Sequence, residues 1–174
     1  AVGPIVTRAT LTATLTGAKS DGLPIQLGDL VNVTGRVTNS NTTTARNVVA
    51  RFILPTSLGL SQLTAQPPLS GCSFSPSLSN GALGTPGVTM TCSLSSLAPG
   101  ASATWAFTVR PLAIPATGDY QPRLEFGSTD CRDLSGGGNL CDAVTGSIPV
   151  TPSSTGSAGG GTVSLSLSGG TFGT

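Results

Sequence analysis

The chain has 174 residues, enough for one domain of ordinary size with an extension, and we expect no second full domain. Charged residues make up only 9% of the chain and the net charge is +1, which excludes the basic surface that attracts nucleic acid or an anionic membrane. The long uncharged stretches are interrupted by Gly, Pro and Ser, so none offers the roughly 20 consecutive apolar residues of a membrane span.

Two strands with alternating side chains are predicted near the N-terminus. Residues 5–16, IVTRATLTATLT, read as a half-buried strand because apolar and polar side chains alternate. Its predicted inward side chains are Ile5, Ala9, Leu11, Ala13 and Leu15. In the next run, LVNVTGRVTN, the predicted inward residues are Val31, Val33 and Val37. Gly35 in this run indicates a β-bulge.

Three further strands follow the same two-residue period, separated by an irregular region, residues 56–86, that is rich in Pro, Ser and Gly. Their predicted inward faces are Val48, Ala50, Phe52 and Leu54; Val88, Met90, Cys92 and Leu94; and Ala101, Ala103, Trp105, Phe107 and Val109. In the last of these strands Ser102, Thr104 and Thr108 are predicted to face outward. Trp105 is therefore predicted to lie in the core.

The remaining chain adds two more strands and no helix. Tyr120, Leu124 and Phe126 mark one strand, and Ile148 with Val150 marks a short one. No segment has the 3.6-residue period of an amphipathic helix. About seven short strands separated by turn residues, without helices to cover a parallel sheet, predict an all-β, immunoglobulin-like antiparallel β-sandwich.

The cysteines predict disulfides and export. The chain has four cysteines, Cys72, Cys92, Cys131 and Cys141, with no C-x-x-C pair and no His to complete a zinc site. Four cysteines allow three pairings, and we predict the neighbour pairs Cys72–Cys92 and Cys131–Cys141 because they close short loops. The chain also begins at Ala1 without Met. Together these features predict an exported, extracellular or cell-surface protein whose signal peptide has been removed.

No catalytic residues are predicted. The chain has no His, and Lys19 and Glu125 are its only lysine and glutamate, so the usual bases that activate a serine nucleophile are missing. We therefore expect neither an enzyme nor a cofactor.

Two weaker site patterns remain. The segment TDCRDLSGGGNLCD contains Asp130, Asp133 and Asp142, whose oxygens are of the kind that calcium prefers. Arg132 lies among them and the spacing is not that of an EF-hand loop, so a solvated loop held by a disulfide is the favoured interpretation, and no metal is predicted. Asn32 and Asn41 each begin an N-x-T pattern for N-glycosylation.

The C-terminal part differs in composition from the rest. Residues 151–161, TPSSTGSAGGG, have the composition of a linker, and TVSLSLS follows with Val163, Leu165 and Leu167 on one face. A lone strand is not stable in water, so this one must add to a sheet edge of its own domain or of another copy. The scarcity of charged residues, which normally protect sheet edges, favours another copy. Repetition of such a head-to-tail contact gives a filament.

The segments VNVTGRVTNSNTTTARNVVARFILPTSLGL and CSLSSLAPGASATWAFTVRP carry a V-T-N strand, an N-V-V strand ending in L-P, and an L-A-P-G turn before a strand. Over residues 29–111 they resemble the Ig-like conserved repeat found in tandem in bacterial and archaeal surface proteins. The resemblance implies an Ig-like fold, a cell-surface location and no catalytic residues. The single module followed by a linker and a strand also resembles the donor-strand arrangement of pili.

The sequence thus predicts three segments: a sandwich at 1–150 that includes a loop closed by a disulfide, a linker at 151–161 and a terminal strand at 162–174. The leading hypothesis is a structural subunit of an extracellular filament, whose partners are other copies of itself, bound through Val163, Leu165 and Leu167. One alternative is a monomeric adhesion or ligand-binding module that uses the 56–86 or 127–143 loops. Another is an accessory domain of a larger secreted protein.

Overall fold

The computed structural model describes residues 11–62, 71–75, 85–129 and 140–152. Within these ranges the strands are, in chain order, β1 (Leu11–Ala18), β2 (Ile25–Gln26), β3 (Val31–Asn39), β4 (Ala45–Ile53), β5 (Leu58–Gln62), β6 (Cys72–Ser75), β7 (Thr85–Pro86), β8 (Thr89–Leu97), β9 (Ser102–Pro111), β10 (Asp119–Tyr120), β11 (Arg123–Gly127), β12 (Asp142–Thr145) and β13 (Ile148–Thr151). No helix in this part of the chain has the length and apolar character needed to cross a membrane.

The strands form two large sheets and one small sheet. Sheet I has the order β1-β3-β9-β5-β7 and sheet II the order β12-β11-β4-β8-β6, and every neighbouring pair in both is antiparallel. The small sheet III has the order β10-β13-β2. Its β13–β2 pair is parallel, with Val150 beside Ile25.

The core lies between sheets I and II and consists of the predicted inward side chains. Val31, Val33 and Val37 of β3 are fully buried, and so are Val48 and Ala50 of β4. The Phe52 ring packs edge-on against Trp105 and Phe107, with ring centroids 5.9 and 5.3 Å apart. Such aromatic pairs add to the stabilisation from apolar burial. The prediction that Trp105 lies in the core is confirmed, since its side chain is only 4% exposed.

Two local predictions were wrong. Gly35 is not a bulge, because the ladder runs without a break through its pairs with Leu15 and Trp105. Instead, a Cβ at Gly35 would overlap Cε1 of Phe52, so the glycine makes room for that ring. Thr108 faces outward opposite Asn32, as predicted, and its side chain is nevertheless buried, at the point where β5 shifts its register between Leu60 and Gln62.

The second correction concerns the strand predicted from Tyr120 to Phe126. It is divided into β10, which belongs to sheet III, and β11, which belongs to sheet II. The break falls at Gln121 and Pro122, and proline has no backbone N–H with which to continue a ladder. Tyr120 is buried, and its hydroxyl lies within hydrogen-bond distance of the carbonyl oxygens of Ala113 and Ser57.

These features define the fold. Two antiparallel sheets enclose one core, with a buried Trp and a Tyr whose hydroxyl bonds to backbone a few residues upstream, as in immunoglobulin-like domains. The described residues form an all-β, immunoglobulin-like antiparallel β-sandwich, as the sequence predicts.

Candidate assembly surfaces

Exposed large hydrophobic side chains are concentrated at one end of the sandwich. Those found in the described part of the chain are Leu23, Leu27, Leu30, Leu112 and Ile114, between 44% and 59% exposed. All five lie in the loops that follow β1, β2 and β9, and we call this surface the apolar end. Single exposed leucines are ordinary, but several together are typical of interaction surfaces, so the apolar end is a candidate for one.

Backbone hydrogen bonds hold the loops of the apolar end together. The Gly28 N–H donates to the Pro111 carbonyl at 2.9 Å, which places Leu27 near Leu112. The Leu112 N–H donates to the Ser57 carbonyl at 2.9 Å. These hydrogen bonds therefore fix the backbone positions from which the apolar side chains extend into solvent.

An ion pair fixes two of these loops to each other. Nζ of Lys19 lies 3.0 Å from Oδ2 of Asp29 and 3.6 Å from Oδ2 of Asp21. The hydrogen bond from the Gln26 N–H, and then that from Lys19, lower the pKa of Asp29. The hydrogen bond with Asp29 raises the pKa of Lys19. The positive charge of the chain's single lysine is thus balanced by carboxylates next to the apolar end.

The chain leaves the sandwich at this same end. Thr151 of β13 pairs with Gln26, directly beside Leu27, and its hydroxyl donates to the Ile25 carbonyl at 3.1 Å. A cavity of about 390 Å³ lies next to this exit, lined by Gly17, Ala18, Lys19, Gly22, Leu23, Pro24, Ile25, Pro149 and Thr151. The linker predicted at 151–161 therefore begins at the apolar end.

A second surface lies along one side of the sandwich, where β1 of sheet I contacts β12 of sheet II. Gly17 packs against Ile148, and Gly146 packs against Leu15. Ala13 and Val144 are the next inward positions along the same two segments, and both side chains are only partly buried against the core. We call Leu11 and Ala13 of β1 with Val144 of β12 the β1–β12 seam.

The β1 strand itself has no charged side chain and no proline. It pairs with β3 on one side, and no ladder is formed on its other side by the residues that the structure describes. Thr12, Thr14 and Thr16 face outward and are exposed. An uncharged edge of this kind is open to pairing with another extended chain.

The predicted site residues fall partly within the described residues. Cys72 and Cys92 form a disulfide between directly opposed positions of β6 and β8. Cys141 also takes part in a disulfide, while its predicted partner Cys131 lies outside the described residues. The predicted subunit-binding residues Val163, Leu165 and Leu167 lie outside them as well.

The weaker site predictions are likewise only partly covered. Asp142 is exposed and accepts a hydrogen bond from the Ala143 N–H at 2.8 Å, whereas Asp130 and Asp133 lie outside the described residues. The described ranges contain no group of three metal-ligating side chains. Asn32 is exposed on β3, and Asn41 is half-buried in the turn after it.

Sequence reasoning missed the apolar end. Leu23, Leu27 and Leu30 stand in the segment GLPIQLGDL, which has no strand period of its own, so no face could be assigned to them. The available signal was leucine within a Gly- and Pro-containing loop, where polar residues are usual.

No protein-family model matches the chain, and no curated protein matches it in sequence. A solved protein from Nocardia farcinica with an immunoglobulin-like fold is similar at 19% identity and a TM-score of 0.47, covering 81% of this chain and 97% of the other. A type I cohesin from Pseudobacteroides cellulosolvens has 17% identity and a TM-score of 0.46, covering 81% and 93%. The major pilin subunit of Bacillus cereus has 12% identity and a TM-score of 0.47, covering 82% of this chain and 41% of the pilin. These likenesses carry no statement about function.

Proposed function

We propose that the chain is a non-catalytic structural subunit of an extracellular surface filament. In this filament the C-terminal strand of one copy adds to the sandwich of the next. The observation that carries the proposal is the apolar end, where five large hydrophobic side chains are exposed together beside the point at which the chain leaves β13. Exposed apolar side chains grouped in this way are typical of surfaces that bind another protein.

The location rests on the cysteines. Disulfides persist in oxidising compartments, and the Cys72–Cys92 bridge therefore supports export to the cell surface or the medium. The sparse charge of the chain fits a surface that is mostly covered by identical neighbours.

The terminal segment has the reach and the composition for such a contact. The linker 151–161 extends up to about 36 Å, which is enough to reach a neighbouring domain. Burial of Val163, Leu165 and Leu167 contributes about 5 to 8 kcal/mol before the cost of ordering the segment. The contact repeats from copy to copy without closing, so it produces a filament rather than a ring.

Deletion of residues 162–174 tests the proposal. We expect the shortened chain to remain folded and monomeric, because the sandwich closes its core before Pro152, while the full chain forms filaments visible by electron microscopy. Leu165→Asp should also prevent assembly, since an unpaired carboxylate is strongly disfavoured in an apolar contact. Ser166→Asp, on the opposite face of the same strand, is the matched control and should assemble.

The outcome that contradicts the proposal is a full-length chain that stays monomeric by light scattering at all concentrations. A shortened chain that unfolds would also contradict it, because the strand would then belong to its own domain.

A monomeric ligand-binding module is the second candidate, favoured by the cavity of about 390 Å³ beside Leu23 and Ile25. Its lining is apolar apart from Thr151, whose hydroxyl donates to the Ile25 carbonyl, and Lys19, whose charge is paired with Asp29. Binding of a small apolar ligand by a strictly monomeric chain would support this alternative.

A further inference from the structure

We infer that the β1–β12 seam is the acceptor site, where residues 162–168 of a second copy pair with the edge of β1 that no described strand occupies. This inference rests on the proposed function and adds to it the place where the strand binds. Four observations carry it: the nature of the β1 edge, the partly buried side chains beside it, the pattern of the two strands, and the position of the chain exit.

β1 is the best available edge among the described strands. It has eight residues without charge or proline. The opposite edge of sheet I, β7, has two residues and includes Pro86. In sheet II, β6 has four residues tied to β8 by the disulfide, and β12 begins with the charged Asp142. Charge, proline and shortness are the devices that protect edges from pairing, and β1 has none of them.

The seam beside this edge is incompletely covered. Ala13 and Val144 pack against the core but are only partly buried. Val144 pairs with the fully buried Leu124, so its side chain points towards the interior, whereas Ala143 pairs with Glu125 and points outward. A strand added at β1 places its inward side chains over Ala13 and Val144 and removes their apolar surface from water.

The terminal strand has the same pattern as the edge it joins. In β1, Leu11, Ala13 and Leu15 face inward while three threonines face outward. In residues 162–168, Val163, Leu165 and Leu167 alternate with Ser164, Ser166 and Ser168. The added strand therefore continues sheet I with hydroxyl groups on its outer face. A shift of one residue would expose every leucine, so the pattern also fixes the register.

The position of the chain exit favours a second copy over the same copy. β1 runs from Leu11 towards the apolar end at Ala18, where the chain also leaves β13. The half of β1 near the exit is packed against Gly146 and Ile148, through its residues Leu15 and Gly17. The open half, Leu11 to Thr14, is at the far end. Within one copy the linker would have to run along the packed half of β1 before its strand could begin, whereas a second copy can bring its strand directly to the open half.

A matched pair of substitutions in β12 tests the seam in the full chain. Val144→Lys places a charge under the incoming strand, and we expect assembly to slow by about tenfold or more because that charge has no partner there. Ala143→Lys adds the same charge one residue away, on the outer face beside Glu125, and should assemble like the unmodified chain. Ala13→Lys, on the other side of the seam, repeats the test in case Val144→Lys does not fold. Circular dichroism melting identifies the folded variants, and light scattering measures assembly.

Mixing two blocked variants tests whether the contact joins different copies. Val144→Lys keeps a working terminal strand and lacks an acceptor, while Leu165→Asp keeps the acceptor and lacks a working strand. Each alone should assemble at least tenfold more slowly than the unmodified chain, and the equimolar mixture should form a dimer rapidly and stop there.

The outcomes separate the two proposals. Suppose that the unmodified chain assembles and that the folded variants Val144→Lys and Ala13→Lys assemble as fast as Ala143→Lys. The β1–β12 seam is then not the acceptor site, while the proposed filament is unaffected. If the mixture gives no dimer although both variants are folded, the seam is also wrong. If the unmodified chain never assembles, the proposed function is wrong and the acceptor site with it.

Discussion

Gly35 lies at the centre of sheet I, where it pairs with Leu15 of β1 and Trp105 of β9. The Phe52 ring from sheet II occupies the space above it, and a Cβ on Gly35 would also lie 3.4 Å from Cδ2 of Leu124. The missing side chain is what allows the aromatic group formed by Phe52, Trp105 and Phe107 to pack in the core.

Gly35→Ala should therefore destabilise the sandwich, although alanine usually favours strands over glycine. We expect the free energy of unfolding to fall by about 1 to 3 kcal/mol, because the new methyl group overpacks the core against the ring. Urea denaturation measures the change. Thr34→Ala, at the neighbouring outward position, is the control and should change stability by less than about 0.5 kcal/mol. Unchanged stability of Gly35→Ala would show that the ring does not occupy this space.

At this scale the sequence predicted the inward residues well, since the two-residue period reports directly which side chains share a face. Val31, Val33, Phe52 and Trp105 are all buried as predicted. The sequence did not predict the role of Gly35 correctly. A glycine within a strand can form a bulge or can leave room for a side chain from the opposite sheet, and the sequence pattern is the same in both cases.

Among the strands, β6 depends most on a covalent link. It has four residues, lies at the edge of sheet II and pairs only with β8 in the described part of the chain. Phe74, opposite Met90, is half-buried and provides its main apolar contact. The Cys72–Cys92 bridge, whose cysteines are 20 positions apart in the sequence, joins this short strand to the sheet.

Replacing both cysteines by alanine should release β6 before the rest of the sandwich. We expect the free energy of unfolding to fall by about 3 kcal/mol, because the bridge no longer restricts the unfolded chain. Hydrogen exchange should accelerate at Phe74 and remain slow at Val33 in the centre of sheet I. Equal acceleration at both amides would mean that the bridge supports the whole fold rather than this strand.

The sequence predicted which segments are strands but not which strands are neighbours. The order β1-β3-β9-β5 places Leu58 beside Pro111, and no local pattern reports such pairs. The β1–β12 seam and the apolar end were missed for the same reason, because each combines residues that are distant in the chain.

For the molecule as a whole, the small number of ionisable groups limits the influence of pH. The chain has no His, so no side chain of ordinary pKa titrates between about pH 5 and 8. The Asp29 carboxylate has a lowered pKa, and the stability that it contributes is lost as the pH falls through that lowered value. The Lys19 pKa is raised, and its contribution is lost only as the pH rises through that raised value.

We therefore expect the melting temperature to stay nearly constant from about pH 5 to 9 and to fall only in stronger acid or base. Asp29→Asn tests the assignment. It should melt below the unmodified chain near neutral pH and approach it as the pH falls through the lowered pKa of Asp29, where the carboxyl is protonated in both states. Circular dichroism melting across this range measures both profiles. A difference that stays constant down to the lowest pH would exclude the charge of Asp29 as its cause.

The attachment of β13 determines how a filament of such subunits responds to tension. Any pull on residues 153–174 enters the sandwich at Thr151, and β13 is held by two-residue ladders to β2 and β10. We expect these short ladders to be the weakest point on the load path of the proposed filament, so that β13 would detach first while the longer ladders of sheets I and II remain intact. The disulfide at Cys141, just before β12, then limits how far the chain can be drawn out. Each subunit would act as a short, reversible spring with a covalent stop.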